Sequence, residues 1–313
     1  MKEYGFGLDL GGTTCKVGLF KTDGTLLEKW EVPTDTSDNG SKILKNLADS
    51  VLAKIAEKGL DAKSDIEGVG IGVPGPATDD GIVHKCVNLG WGVKPVGQEL
   101  EHLLGGIKVK VGNDANVAAL GEAWMGAAKS LNSCVMVTLG TGVGGGVVMN
   151  GKVVAGATGA GGEIGHILIN PKETRTCGCG LHGCLEQYAS ATGIAYLGRT
   201  RLEKDNTPSA LRDVENLEAR HIFDAAKEGD ALAIEVVEEA CTYLAQGLSA
   251  ISCVVNPDAF VIGGGVSKAG EYLTEQIKKR FVKVAFHSCC DTQIMLATLG
   301  NDAGMYGSMK LIL

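Results

Sequence analysis

The strongest constraint on this chain is a repeat: an apolar strand, a glycine- and threonine-rich turn, and a strand that returns beside the first. Tyr4 to Leu10 breaks into Gly11-Gly12-Thr13-Thr14, after which Cys15 to Phe20 alternates and Thr25 to Val32 reads as a third strand. The form recurs where Cys134 to Leu139 meets Gly140-Thr-Gly-Val-Gly-Gly-Gly and Val147 to Asn150 returns. Two copies of one hairpin predict two related α/β halves. At 313 residues the chain can build a core for each.

Glycine-rich turns let backbone N–H groups approach phosphate oxygens, and Asp9, at the mouth of the first turn, can meet a bound Mg²⁺ directly or through water. Two formal dinucleotide fingerprints are misleading. Gly70-x-Gly72-x-x-Gly75 runs into Pro74-Gly75-Pro76, and Gly140-x-Gly142-x-x-Gly145 is followed by a strand, whereas that fingerprint requires a helix. The sequence holds no G-x-x-x-x-G-K-[ST], so any nucleotide is held by other means.

Between the hairpins, helical spacing runs from Ser41 to Lys58, and strands are expected at Ile66 to Val73 and Ile107 to Val111. Asn88-Leu-Gly-Trp is a loop offering an amide and an aromatic surface. Gly112-Asn113-Asp114-Ala115-Asn116 joins a strand to a helix ending near Met125. A carboxylate there either caps the helix or faces a ligand at the strand's C-terminal end. Beyond residue 217 the pattern is helical over Leu217 to Glu228 and Ala231 to Cys253. Ala259 to Ile262 is then a strand, and Gly263-Gly264-Gly265 is expected to open a helix from about Ser267. Glu271 to Val284 reads as helix, Gln293 to Ala297 as strand and Asp302 to Leu313 as a closing helix.

Residues 156 to 188 carry a different chemistry. Cys177, Cys179 and Cys184 form C-x-C-x4-C, with His166 upstream. Three thiolates and one imidazole close a tetrahedral zinc site and leave no position for a reactive water. Glu163 and Glu186 flank the set. With a base at Asp114, phosphates on the glycine turns and Mg²⁺, these carboxylates would suit an acceptor rich in hydroxyl groups.

The formal charge of −8 excludes a general binder of nucleic acid or anionic membranes, and small molecules remain as partners. No apolar run approaches the roughly 18 residues of a membrane span. The N-terminus MKEYGFGLDLGG lacks the apolar core of a secretory leader, so the ten cysteines are expected to be reduced thiols of a cytoplasmic protein.

Taken in order, Asp9-Leu-Gly-Gly-Thr, Gly112-Asn113-Asp114-Ala115-Asn116, Leu139-Gly-Thr-Gly-Val-Gly-Gly-Gly, Gly161-Gly-Glu-Ile-Gly-His166 and Cys177-x-Cys-Gly-x-x-Gly-Cys-x-Glu186 resemble the ROK family of sugar kinases. Trp30-Glu-Val-Pro-Thr, Val87-Asn-Leu-Gly-Trp91 and Ala189-Ser-Ala-Thr-Gly193 are most similar to its bacterial ATP-dependent glucokinases. The resemblance implies an actin-like, hexokinase-type (RNase H-like) α/β fold of two domains with a central cleft. The domains are expected at 1–118, joined by the C-terminal helix 300–313, and at 119–299 with the zinc segment.

The resemblance makes Asp114 the base that takes the proton of the glucose 6-hydroxyl as it attacks ATP, giving glucose 6-phosphate, the entry to glycolysis, and ADP. It puts Gly75, Asn88, Asn113, Glu163, His166 and Glu186 on the sugar beside Asp114. ATP with Mg²⁺ would lie on Asp9, Gly11, Gly12, Thr13, Thr14 and Lys16, on Gly140, Thr141, Gly142 and Gly144, and on Gly264 and Gly265. Structural zinc would sit on His166, Cys177, Cys179 and Cys184, and the family implies a homodimer or homotetramer. Alternatives from the same resemblance are a kinase of mannose, fructose, N-acetylmannosamine or N-acetylglucosamine, or a non-catalytic sugar-binding regulator. The regulator would need a DNA-binding segment, and eight residues precede Asp9. A filament-forming actin-like ATPase would leave the zinc set without a purpose.

Overall fold

The computed structural model describes residues 1–313. Alternating apolar residues carry Tyr4–Leu10 (β1), Thr14–Lys21 (β2) and Leu26–Pro33 (β3) into an antiparallel meander, with Val17 paired to Leu8 on one side and Trp30 on the other. Ile66–Val73 (β4) and Val109–Asn113 (β5) add in parallel, giving the order β3-β2-β1-β4-β5. Helix Ile43–Glu57 (α1) buries Ile43, Leu44, Leu47, Val51 and Ile55 in the core that also holds Phe6, Leu8 and Ile71. Val96–Leu103 (α2), which the sequence pattern does not announce, closes that core with Val96 and Leu100. Asp114–Met125 (α3) follows β5 directly.

The second sheet repeats the succession. Ser133–Leu139 (β6), Val143–Met149 (β7), Lys152–Val153 (β8), Ala259–Gly263 (β9) and Gln293–Leu296 (β10) take the order β10-β9-β6-β7-β8, in which β9 is parallel to both β6 and β10. The repeated hairpin thus opens each of two sheets of like order. The helices of this half are Glu186–Ala189 (α4), Ala191–Lys204 (α5), Ala219–Lys227 (α6), Ala231–Val255 (α7) and Glu271–Val284 (α8); Ala303–Leu311 (α9) ends the chain. None is long and apolar enough to cross a membrane.

Two local expectations change. Strand β7 begins at Val143 rather than Val147, because its glycines answer to packing: a Cβ on Gly146 would lie 2.6 Å from that of Ala119 and 2.7 Å from the Ala115 carbonyl oxygen. The helix expected from Ser267 is a single 3-10 turn over Gly265–Ala269. Gly270, at φ 73°, breaks it before α8 starts at Glu271.

The chain gathers into two compact units, Met1–Asn132 with Gly146–Gly162 and Leu299–Leu313, and Ser133–Gly145 with Glu163–Thr298. The boundary expected at residue 118 falls inside α3, which stays whole in the first unit because α9 lies along it. Backbone meets backbone there. A Cβ on Gly307 would strike the Val117 carbonyl, one on Gly70 the Ser308 carbonyl and one on Gly7 the Met305 carbonyl. Ser308 Oγ donates to the Leu8 carbonyl at 2.7 Å. Glu122, fully buried on α3, accepts from the N–H groups of Ala127 and Leu299, each at 2.8 Å, and so ties the end of α3 to the start of the α9 segment.

Since no neighbour of Gly307 can yield, Gly307→Ala should lower unfolding free energy by about 2 kcal/mol or more. Gly92→Ala, with nothing near its Cβ position, should stay within about 0.5 kcal/mol of the parent in the same urea titration.

Candidate active site

In the first unit the site is built at the C-terminal ends of β1 and β5. The first turn is pinned by Thr34, whose N–H donates to the Thr13 carbonyl at 2.9 Å and whose Oγ1 donates to the Gly11 carbonyl at 2.8 Å. Gly12 and Thr13 are exposed, and of the neighbours only Asn88 Cβ, at 4.0 Å, comes near the position a Gly12 Cβ would take. Asp9 packs on Gly304 in the first turn of α9: a Cβ there would lie 2.5 Å from its carboxyl carbon. Burial raises the Asp9 pKa, Asp114 and Asp302 add to the rise, and Lys16 opposes it. Lys16 itself donates to the Asn301 carbonyl at 2.9 Å.

At the β5–α3 junction the capping question is resolved by Asn113. Its side chain accepts from the Asn116 N–H at 3.2 Å and is the N-cap, while its Nδ2 donates to the Gly75 carbonyl at 3.2 Å. Asp114 is therefore the first helical residue, half-buried in the positive field of the helix N-terminus, with Oδ1 accepting from the Ala115 N–H at 2.7 Å. Gly75 holds the extended positive φ of 138° that turns its carbonyl to Asn113, and a Cβ there would meet the Lys85 carbonyl at 2.6 Å. Asn88 is exposed on a 3-10 turn. Trp91, read from sequence as an aromatic surface, is instead core, its Nε1 donating to the Gly40 carbonyl at 3.2 Å. Asn116 is buried, and its Oδ1 has no hydrogen-bond partner.

In the second unit the hairpin Gly140–Val143 stands beside a cavity of about 570 Å³, lined by Thr141, Ala191, Thr192, Ala195, Arg199, Leu217, Phe223, Gly265, Val266 and Lys268 among others. Most of these residues carry no motif. They come chiefly from α5, α6 and the 3-10 turn after Gly264, and folding brings their apolar and charged side chains together around the cavity. Gly264 packs on the Leu139 backbone, which brings β9 and the hairpin into contact.

The predicted metal ligands converge. The ligand atoms of His166, Cys177, Cys179 and Cys184 all lie within 4.8 Å of one another. Cys179 and Cys184 sulfurs are 3.7 Å apart, too far for a disulfide and close to the roughly 3.8 Å edge of a tetrahedron with Zn–S bonds of about 2.3 Å. His166 turns Nδ1 to Cys177 Sγ at 3.8 Å and Nε2 to Glu163 Oε2 at 3.9 Å. Burial pushes the Cys184 thiol up to about 12 and raises Cys177 as well, while the Leu181 backbone N–H lowers Cys179. Thiols so crowded do not ionise together without a cation to balance them, so the donor set fits a soft divalent ion. Glu186 Oε1 stands 3.6 Å from Cys177 Sγ, and its Oε2 accepts from the Val143 N–H at 3.0 Å.

A second fastening holds the same segment. Glu173 takes the Arg175 guanidinium on Oε2, at 2.6 and 3.0 Å, and the Tyr188 hydroxyl on the same oxygen. Arg175 lies 3.4 Å from the centre of the Tyr196 ring, and Tyr188 stacks on Tyr243 at 4.1 Å. Gln187 donates to the Arg175 carbonyl and accepts from the N–H groups of Gly183 and Cys184.

Two sheets of like order, each opening on a glycine hairpin, with an acid at the head of the helix after β5, define a two-domain α/β sugar kinase of the actin-like fold. The chain belongs to the ROK family, whose model matches residues 5–313. It is similar to a glucokinase of Halalkalibacterium halodurans, 41% identical over 98% of this chain and 94% of that one. Among solved structures it resembles a ROK hexokinase from Thermus thermophilus, at 31% identity and TM-score 0.82, with 98% of this chain and 97% of that one covered. A ROK glucokinase from Streptomyces griseus, solved with glucose and AMPPNP, matches at 32% identity and TM-score 0.72 over 98% of each chain.

Arg175 holds the Glu173 carboxyl down to about 2, from an ordinary 4.5. A lowered folded-state pKa stabilises above pH 4.5, and that contribution is lost as pH falls towards 2. The destabilisation caused by Glu173→Gln should therefore be full at pH 7 and shrink across that window, as read by denaturant melts at several pH values.

Proposed function

We propose that the chain is a glucokinase, transferring the γ-phosphoryl group of ATP to the 6-hydroxyl of glucose. The observation that carries the chemistry is the division of labour at the head of α3: Asn113 caps the helix, and Asp114 is left at its first position beside the turn. The likeness to a glucokinase over nearly the whole chain supports glucose as acceptor. In this reading Asp114 removes the 6-hydroxyl proton as the oxygen attacks the γ-phosphorus. The bond from that phosphorus to the β,γ-bridging oxygen breaks, and ADP leaves with that oxygen. At the first position of α3 the positive end of the helix dipole faces that carboxylate.

Glu163, His166 and Glu186 are assigned to the sugar hydroxyls, which carboxylates can accept from and an imidazole can accept from or donate to, and Gly75, Asn88 and Asn113 are assigned to the sugar as well. The nucleotide is assigned to Gly11–Thr14, Gly140, Thr141, Gly142, Gly144, Gly264 and Gly265, its base and ribose to the cavity lined by Ala195, Leu217 and Phe223. Asp9, whose charge burial and two neighbouring acids disfavour, is suited to a divalent cation, and Lys16 to phosphate. Mg²⁺ bound with ATP would neutralise charge on the transferring phosphate. Zinc on His166, Cys177, Cys179 and Cys184 would supply a cross-link and no reactive position. A cytoplasmic homodimer or homotetramer completes the reading.

Asp114→Asn should bind glucose with near-parental affinity and lose about 10²–10⁴-fold in turnover, read by coupled ADP release. In that assay the parent should prefer glucose over mannose, fructose and the N-acetylhexosamines; a preference for an acetylated sugar would move the reading to another branch of the family. Metal analysis should find about one zinc per chain, and Cys179→Ser should lose the metal and lower both melting temperature and glucose affinity.

A further inference from the structure

The glycine hairpin of the second unit does not stand by itself. Three of its backbone groups are held by the run that follows the metal ligands: the Gly140 carbonyl accepts from the Ala191 N–H at 2.8 Å, the Thr141 carbonyl from Thr192 Oγ1 at 2.8 Å, and the Val143 N–H donates to Glu186 Oε2 at 3.0 Å. The side of Gly142 where a Cβ would stand is filled by the Glu186 carboxylate, its carboxyl carbon 3.1 Å from that position. Gly165, one residue before the ligand His166, packs on Val143 in the same way, its Cβ position 3.1 Å from the Val143 carbonyl carbon. The other oxygen of Glu186 faces the ligand Cys177 at 3.6 Å.

We infer that Glu186 is a positioning residue for the nucleotide hairpin, so that the metal-binding segment sets affinity for ATP as well as for sugar. The inference rests on the glucokinase reading and extends it. A hairpin of Gly140-Thr-Gly has few side chains to fix its course, and phosphate oxygens need N–H groups already aimed. The three bonds from Glu186, Ala191 and Thr192 supply that aim. A carboxylate accepts more strongly than a neutral group, and of the three contacts this one alone also touches the metal set.

The test is titration of AMPPNP with Mg²⁺ in the absence of sugar, by calorimetry, on full-length protein with metal content measured alongside. Glu186→Ala should weaken AMPPNP about tenfold, the loss of a hydrogen bond to a charged group. Glu186→Gln retains a carbonyl acceptor for the Val143 N–H and should stay within about threefold of the parent, while both variants lose glucose affinity. Thr192→Val, eight residues beyond Cys184 and touching none of the four ligands, should weaken AMPPNP about three- to fivefold with zinc unchanged. If Glu186→Ala binds AMPPNP as the parent does, Glu186 serves the sugar only and the inference is overturned. If Glu186→Ala has also lost zinc, Thr192→Val decides, and parental affinity in that variant overturns the inference. A parent that binds no AMPPNP at all overturns the kinase reading itself and this inference with it.

Discussion

The first unit depends on backbones pressed together without side chains between them. Gly7, Gly70 and Gly307 each sit where a Cβ would enter a carbonyl of α9 or α3, so the C-terminal helix lies directly on β1, β4 and α3. Close approach leaves peptide groups out of reach of water, and they must be paired within the protein. Ser308 answers the Leu8 carbonyl and Glu122 answers Ala127 and Leu299, which is why a fully buried carboxylate is tolerated on α3. Function follows from that geometry. The crossing brings the first turn of α9 under Asp9 and fixes the helix that Asp114 heads.

The second unit meets the opposite difficulty. Residues 163 to 188 hold no α-helix before Glu186, and of their aliphatic side chains only Ile164 and Leu185 are buried, so hydrophobic burial contributes little to ordering them. Two groups of contacts of different chemistry converge there, and the first would act as a cross-link only with an ion bound. The His166, Cys177, Cys179 and Cys184 set needs a cation and deprotonated thiols, whereas the Glu173–Arg175–Tyr188 clamp needs only an ionised carboxylate and works through the aromatic faces of Tyr188 and Tyr196. Without an ion part of the segment would therefore stay fastened, and the two contributions would fail under different conditions.

Legibility from sequence tracked how local each signal was. Strands β1 and β4 and helix α8 begin and end where apolar periodicity puts them, and the convergence of His166, Cys177, Cys179 and Cys184 was readable because their spacing is short and their residue types are rare. Gly146 of β7 reads as turn in the sequence, whereas its cause lies in packing on α3, at Ala115 and Ala119. Helices α2 and α5 lacked a clear stripe in sequence, and Trp91, an aromatic in a polar loop, had its burial decided by Gly40, far away in the chain. The cavity residues Ala195, Leu217 and Phe223 and the clamp at Glu173 were illegible for the same reason: each is an ordinary residue until tertiary structure supplies its partner.

Glu186 shows why a site of this kind resists division into separate functions. It closes the C-x-C-x4-C-x-Glu run, heads α4, faces Cys177 with one oxygen and holds the hairpin N–H with the other. A glycine-rich loop gains close backbone approach by giving up the side chains that would fix it, so something outside the loop must do the fixing. Here the fixing group is a carboxylate whose own position depends on the metal segment. Support for one substrate cannot then be altered without reaching the groups assigned to the other, which is a direct physical route by which sugar and nucleotide affinities become linked.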